Sequence, residues 1–424
     1  MRSVGRVSGR RFASFGGCRS LRFLKLHFIF LRVRTISRAL ASEVKKASKG
    51  FAAILVTGPR RAGKTTLLQH LFPNASYRLL EDPDVVARVR SDPHAFLDEL
   101  SLPAILDEIQ NVPELLAHVR ARIDAHPRRK GRWFLTGSQE AGLMRGVSES
   151  MAGRAAVFQL FPLSVTESLK VSLLRGGFPE VIERPSQAAT WFRSYVQTYL
   201  ERDVRAVTAI RDLATFRRFI ALVASRSGQI LNRSDIAAPL GVSVPTVSEW
   251  LSILELTGQI LLVPPFFENF GRRLIKSPKL YFVDSGLACH LLGVDSERLL
   301  SRSPFLGPIF EGFVAAEIAK QQLHSGRSRE IYYFRDQQGL EVDFVIPRGA
   351  GRLWLIEAKA STTVVPRDAA PLAKLASAVE RYRVERFVVH RARTKSASTT
   401  ALAPGVKAVT LADLVASMAS QRRS

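Results

Sequence analysis

With 424 residues the chain has room for about two to four domains with sizeable cores. It carries 62 Lys and Arg against 37 Asp and Glu, a net charge of +25, and that excess points to a polyanionic partner, nucleic acid first. Cys18 and Cys289 are too few for a disulfide framework or a zinc cluster, and no apolar run reaches the ~18 residues of a membrane span.

The chain opens on an arginine-rich segment with no acid before Glu43. Within it "FLKLHFIFL" followed by "ALA" has the outline of a secretory signal, but Lys25 and His27 interrupt its apolar part. An Arg- and Ser-rich, acid-free start also suits an organellar transit peptide. The simplest expectation is a basic, disordered arm over residues 1–45, outside the fold.

Next come a strand-like run, "FAAILV" (51–56), then "GPRRAGKT" (58–65), then the helical pattern "TTLLQHLF" ending at Pro73. This is G-x-x-x-x-G-K-[ST] in the strand-to-helix context that a phosphate loop requires. Gly58 and Gly63 allow the tight bend that aims backbone N–H groups at phosphate oxygens, and the following helix adds its positive dipole end. The expected nucleotide contacts are Gly58, Pro59, Arg60, Arg61, Ala62, Gly63, Lys64, Thr65 and Thr66. Lys64 would reach the β and γ phosphates, and the Thr65 hydroxyl would bind Mg²⁺.

A second strand, "LPAILDEIQNVPELL" (102–116), ends in Asp107 and Glu108. Asp107 is expected to hold the magnesium, directly or through water, and Glu108 to act as the base on the attacking water. A third, "GRWFLTGSQE" (131–140), ends in polar residues, of which Ser138 or Gln139 would sense the γ-phosphate. Strands alternating with helices, all ending in polar chemistry, indicate a doubly wound α/β ATPase domain using ATP and Mg²⁺.

Residues 230–266 read as helix, turn, helix, strand. Ser234 is the expected cap of the first helix, Gly241 the turn, and Ser243 the cap of the second, with Pro245 in its first turn. The pattern resembles a winged helix, but Glu249 and Glu255 sit on the second helix, so a DNA reader and a structural module both remain open. The cationic segment from Arg272 to Lys279 is the better candidate for backbone contacts. Further on, "YYFRDQQGLEVDFVI" (332–346) and "RLWLIEAKAST" (352–362) read as a hairpin. Asp343 lies on one strand and Glu357-x-Lys359 on the next, and an upstream amphipathic helix carries Glu311. Asp343 and Glu357 would hold a divalent ion, Lys359 would orient a water from the same strand face, and Glu341 would assist. The alternative is that Glu357 and Lys359 simply bridge each other.

"GPRRAGKTTL", "LDEIQNVPEL", "LTGSQ", "MAGRAAVFQLFPLSVTE", "GGFPEV", "YVQTYLERDV" and "KSPKLYFVDSGLA", in that order, resemble the prokaryotic AAA-type ATPases that carry a C-terminal domain of unknown function with a nuclease-like fold. The resemblance extends over about residues 50 to 395. It implies an AAA-type domain (46–170), a helical linker or lid (171–225), a winged-helix domain (226–300), a PD-(D/E)xK nuclease-like α/β domain (301–395) and a tail (396–424). Arg61 departs from the pattern, which often has glutamine there. Arg154 of "MAGR" is a candidate charge-stabilising arginine, or else a solvated one. The function implied is a Mg²⁺-dependent ATPase acting near nucleic acid. A nucleotide-gated regulator with little turnover and an ATP-regulated DNase are the alternatives. DNA is a candidate partner, an oligomer is allowed, and the need for ATP places the protein in the cytoplasm.

Overall fold

The computed structural model describes residues 36–137, 150–200, 213–266, 276–392 and 399–420. The first module follows helix Ala41–Gly50 (α1) and contains Ala53–Thr57 (β1), Lys64–Leu71 (α2), Ser76–Leu79 (β2), Pro83–Ser91 (α3), Pro93–Asp98 (α4), Ala104–Asp107 (β3), Leu115–Ala125 (α5), Trp133–Gly137 (β4) and Ala155–Gln159 (β5). Its five strands form a parallel sheet in the order β2-β3-β4-β1-β5. Parallel neighbours need long crossovers, which the helices between the strands supply. Alternate side chains of β1 enter opposite cores. Ala53 and Leu55 pack with Val89, Phe96, Leu116 and Val119, while Ile54 and Val56 pack with Leu40, Val44, Leu67 and Leu68. A strand covered on both faces reads as an unbroken apolar run, which is why "AAILV" shows no alternation.

The fold begins earlier than expected. Leu40 and Val44 are fully buried against the sheet while Lys45, Lys46 and Lys49 stay exposed, so α1 is an amphipathic part of the module and not of a basic arm. Residues 1–35 lie outside the described residues.

The second module comprises helices Pro179–Glu183 (α6), Ala188–Tyr195 (α7), Leu213–Ser225 (α8), Arg233–Leu240 (α9) and Val244–Leu256 (α10), then the strands Ile260–Val263 (β6) and Lys279–Phe282 (β7), and Ser285–Leu291 (α11) and Glu297–Arg302 (α12). Helices α9 and α10 meet at 111°. Gly241 makes the turn at φ 68° and the Ser243 hydroxyl accepts from the Thr246 N–H. Asn232, not Ser234, caps α9: its side chain accepts from the Ser234 N–H, which places Ser234 inside the first turn. Phe216 and Phe219 pack on Trp250 at the centre of this module. β6 and β7 form an antiparallel ribbon pairing Ile260 with Phe282 and Val263 with Lys279.

The third module contains Leu306–Leu323 (α13), Tyr332–Arg335 (β8), Glu341–Pro347 (β9), Arg352–Lys359 (β10), Ala370–Ala378 (α14), Arg383–His390 (β11), Thr399–Ala403 (β12), Val406–Thr410 (β13) and Leu411–Ser420 (α15). Its mixed sheet runs β12-β13-β11-β10-β9-β8, with the expected β9–β10 hairpin antiparallel. The segment after residue 395 is no detached tail: β13 pairs in parallel with β11, and Leu414 and Val415 are buried in the core beneath α13. That core is shared, since Phe161 and Leu163 from the first module, Leu261 and Tyr281 from the ribbon, and Val314 and Phe344 from the third all belong to it. Backbone bonds from Phe266 N–H to Tyr333 O (2.7 Å) and from Tyr333 N–H to Pro264 O (3.1 Å) tie the second module to the edge strand β8. Among the described residues no single helix is long and apolar enough to cross a membrane.

Candidate functional site

The carboxyl ends of β1, β3 and β4 converge on the loop between β1 and α2, where a cavity of about 340 Å³ is lined by Arg60, Arg61, Gly63, Lys64, Thr65, Thr66, Asp107 and Glu108. The loop needs its glycines. Gly58 has φ 132°, and a Cβ there would lie 2.2 Å from Leu160 O; Gly63 has φ 92°. Arg61 also takes a left-handed backbone, φ 62°. Lys64 is buried, and its ammonium donates to Gly58 O (3.1 Å) and Pro59 O (3.0 Å), inside the curl of the loop.

Asp107 is the hub. The Thr65 hydroxyl lies 2.8 and 3.0 Å from its two oxygens, Tyr77 Oη donates to Oδ2 at 2.8 Å, and Thr136 Oγ1 bonds Oδ1. Burial and then the Asp107 carboxylate push the Tyr77 phenol well above its usual range. Thr65 and Asp107, the pair expected to share magnesium, are thus already in contact, and a hydroxyl beside a carboxylate at the head of a phosphate loop is oxygen chemistry suited to that ion. Sequence reasoning missed Tyr77. It stands at register level with Ile105 on β2, a strand that carries no motif of its own.

Glu108 adopts φ 59°, a left-handed conformation costing a non-glycine residue about 1 kcal/mol. Its N–H donates to Thr136 Oγ1 (3.1 Å), while its carboxylate accepts from Gln110 Nε2 and lies 3.6 Å from the Arg60 guanidinium. Arg61 pairs with Glu180 of α6 at 3.5 Å, so the second module contributes a wall of the cavity. Burial pushes the Glu180 carboxyl up. The loop also leans on the ribbon: Tyr195 Oη reaches Arg60 O (3.5 Å) and takes a hydrogen bond from Gln259 (3.0 Å), and a Cβ on Gly258 would lie 3.0 Å from the Pro59 ring.

One expected site residue is not brought here. Arg154 precedes β5 at the opposite, amino-terminal end of the sheet, where its backbone carbonyl bonds the first residue of β1. Its guanidinium makes a two-pronged contact with Asp124 on the surface, so within this chain it cannot reach the phosphates. Ser138 and Gln139 lie outside the described residues.

Arg38 was not legible as a site residue, yet it props the loop from behind. Its guanidinium donates to Ala62 O (2.7 Å), Phe161 O (2.6 Å) and Glu167 Oε1 (3.0 Å). His324, at the end of α13, accepts the Phe161 N–H through Nε2 and sits 3.5 Å from the same Glu167 oxygen. Burial alone would raise the Glu167 carboxyl, but His324 and Arg38 hold it well below the usual range. Both partners of this ion pair are buried, so Arg38→Ala should cost about 3–5 kcal/mol by stranding a charge. Because the folded pKa lies below the unfolded one, the pair's contribution is complete above the unfolded value and fades as the pH falls through the folded one. Urea melts of wild type and Arg38→Ala should therefore differ most near neutrality, and the difference should begin to shrink only as the pH falls below about 4. A difference under about 1 kcal/mol at neutral pH removes this strut from the account.

In the third module Glu311, Asp343, Glu357 and Lys359 do come together, with Glu341 beside them. Lys359 Nζ bridges Glu357 Oε1 at 2.7 Å, the simpler of the two arrangements expected from sequence. A metal between Asp343 and Glu357 is not what the geometry offers. Lys279, from β7, extends its ammonium to Glu311 Oε1 (2.8 Å), Glu341 Oε1 (2.5 Å) and Asp343 Oδ1 (3.5 Å). Among the described residues no three His, Cys, Asp or Glu side chains are placed to hold a metal ion. Burial, then Asp343, pushes the Glu311 carboxyl up to about 7 and that of Glu357 up to about 8. Lys279 is therefore a buried residue and no contact for a nucleic-acid backbone; Arg272 and Arg273 lie outside the described residues.

Residues 50–169 match the AAA domain, 166–298 a domain of unknown function (DUF8612), and 306–413 a second domain of unknown function (DUF4143). An uncharacterized protein of Mycobacterium tuberculosis, Rv2008c, is 32% identical over 333 residues, covering 77% of this chain and 74% of its own length; the uncharacterized Mb2031c of Mycobacterium bovis matches equally. The chain belongs to their family. It carries a P-loop AAA domain followed by DUF8612 and DUF4143. The second match joins the expected lid and winged-helix segments into one unit, in keeping with their common core around Phe216 and Trp250. Among solved structures, a Walker-type ATPase of Pyrococcus abyssi is 16% identical with a TM-score of 0.43, covering 61% of this chain and 97% of its own. RuvB of Thermotoga maritima is 19% identical at 0.27, covering 53% and 87%. At these scores the likeness is slight.

Proposed function

We propose that the protein is a Mg²⁺-dependent ATPase whose nucleotide state is read by its second module. The observation that carries this reading is the contact of Thr65 with Asp107 at the mouth of a loop that already encloses the Lys64 ammonium. Lys64 exchanges two loop carbonyls for phosphate oxygens when nucleotide enters, and the loop N–H groups and the α2 dipole add to the same anion site. Thr65 and Asp107 hold Mg²⁺, which when bound neutralises charge on the β and γ phosphates. Glu108 accepts the proton of the attacking water. Arg61 pairs with Glu180, so an arriving anion competes for it and loosens that wall of the cavity. Phosphate release with ATP and Mg²⁺, measured with and without single- and double-stranded DNA, tests the reading; no turnover under any condition overturns it.

One observation favours a second reading, a nucleotide-gated switch with little turnover. Glu108 is engaged by both Gln110 and Arg60, which would hold a base away from water. Tight ATP binding with negligible phosphate release distinguishes the switch. A nucleic-acid partner is supported by the net charge of +25, and by the 111° helix pair with its following ribbon, an arrangement like that of a winged helix. DNA affinity should then fall steeply with salt.

A further inference from the structure

The carboxylate centre of the third module already contains a cation, and that cation belongs to a different module. Lys279 is 2% exposed, and its ammonium touches Glu311, Glu341 and Asp343. Tyr281, two residues along the same strand, donates its phenol to Glu311 Oε1 at 2.5 Å. The Asp343 oxygen not facing Lys279 accepts the Ala358 N–H at 2.9 Å. A divalent ion needs these oxygens at about 2.0–2.6 Å and free of other donors, and it would lie against an ammonium of like sign. The centre is nevertheless short of positive charge. Glu357, 7% exposed, keeps one bridge to Lys359, and among the described residues its Oε2 has no hydrogen-bond partner. Glu357 borders a cavity of about 870 Å³ that Glu341 and Asp343 also line.

We infer that Lys279 is a built-in plug: the second module inserts its ammonium where a nuclease-like centre would hold a divalent ion, and removing that charge turns the centre into a metal site. The placement of the lysine makes the plug part of the module interface. Lys279 pairs in register with Val263 at one end of the β6–β7 ribbon, whose other end, at Gly258 and Gln259, lies against the phosphate loop.

The test is Mn²⁺ binding to the full-length, nucleotide-free protein, followed by calorimetry and by the electron-spin signal of free Mn²⁺. Wild type and Asp343→Asn should bind Mn²⁺ identically, because the centre is closed. Lys279→Met, which keeps most of the side-chain volume without the charge, should gain one Mn²⁺ site at least about tenfold tighter than any in wild type, and Lys279→Met with Asp343→Asn should lose it. An Mn²⁺ site in wild type that Asp343→Asn abolishes overturns the plug, as does a folded Lys279→Met protein that gains none. Should Lys279→Met not fold alone, because four carboxylates are left with too little charge, Mn²⁺ must restore its near-ultraviolet circular dichroism. Failure to do so also overturns the proposal.

Discussion

Lys64→Ala is expected to abolish measurable nucleotide binding in a protein that still folds. The side chain is enclosed by the curl of the loop, bonded to Gly58 O and Pro59 O and therefore already at the place where phosphate oxygens arrive. Each charge-assisted bond to phosphate contributes about 1.5–3 kcal/mol. Losing two of them weakens affinity by about a hundredfold or more. Arg60 does not take over, since it stands between Glu81 (3.9 Å) and Glu108 (3.6 Å). Arg61, half-exposed and shared with Glu180, offers an anion a solvated contact and not an enclosed one. Fluorescent-ATP titration provides the readout, with circular dichroism as the check on folding. Affinity like that of wild type in a folded variant would remove the phosphate-loop assignment altogether.

Glu108→Gln should separate binding from chemistry. The amide keeps the size of the side chain, its distance from Arg60 and the left-handed backbone, but it cannot accept a proton from water. ATP affinity should stay within a few-fold of wild type while phosphate release slows by about a hundredfold or more. The contact with Gln110 makes a second variant informative. If that amide restrains the carboxylate, Gln110→Ala should raise turnover in the protein with Glu108 and leave Glu108→Gln unchanged. Unaltered turnover in Glu108→Gln with retained binding assigns the water to another group. Elevated turnover in Gln110→Ala would also weaken the switch reading, because it would show an active base under restraint.

Local chemistry made the geometry of the candidate site readable in advance. Gly58 and Gly63 occur where the backbone must take φ values that side chains oppose, Lys64 and Thr65 follow at fixed offsets, and Asp107 and Glu108 end a short apolar run. Each is a constraint between residues close in sequence, so each leaves a pattern. The same holds for the β9–β10 hairpin, the Ser243 cap and the Gly241 turn. The start of the fold was misread for a related reason: α1 has lysines on its exposed face, and composition registers those more strongly than the buried Leu40 and Val44.

What only the tertiary structure decided are contacts between groups far apart in the chain. Arg38 meets Glu167 across 129 residues, Tyr77 meets Asp107 across 30, and Lys279 meets Glu311 across 32. No periodicity links such positions, because their partners are chosen by strand order and module packing. Arg154 shows the converse: a plausible motif residue falls at the wrong end of a parallel sheet once β5 is placed beside β1. The acids of the third module were legible as a cluster needing a cation, since like charges brought close repel. That the cation is a lysine from another module followed from the pairing of β7 with β6, which lays Lys279 against that sheet.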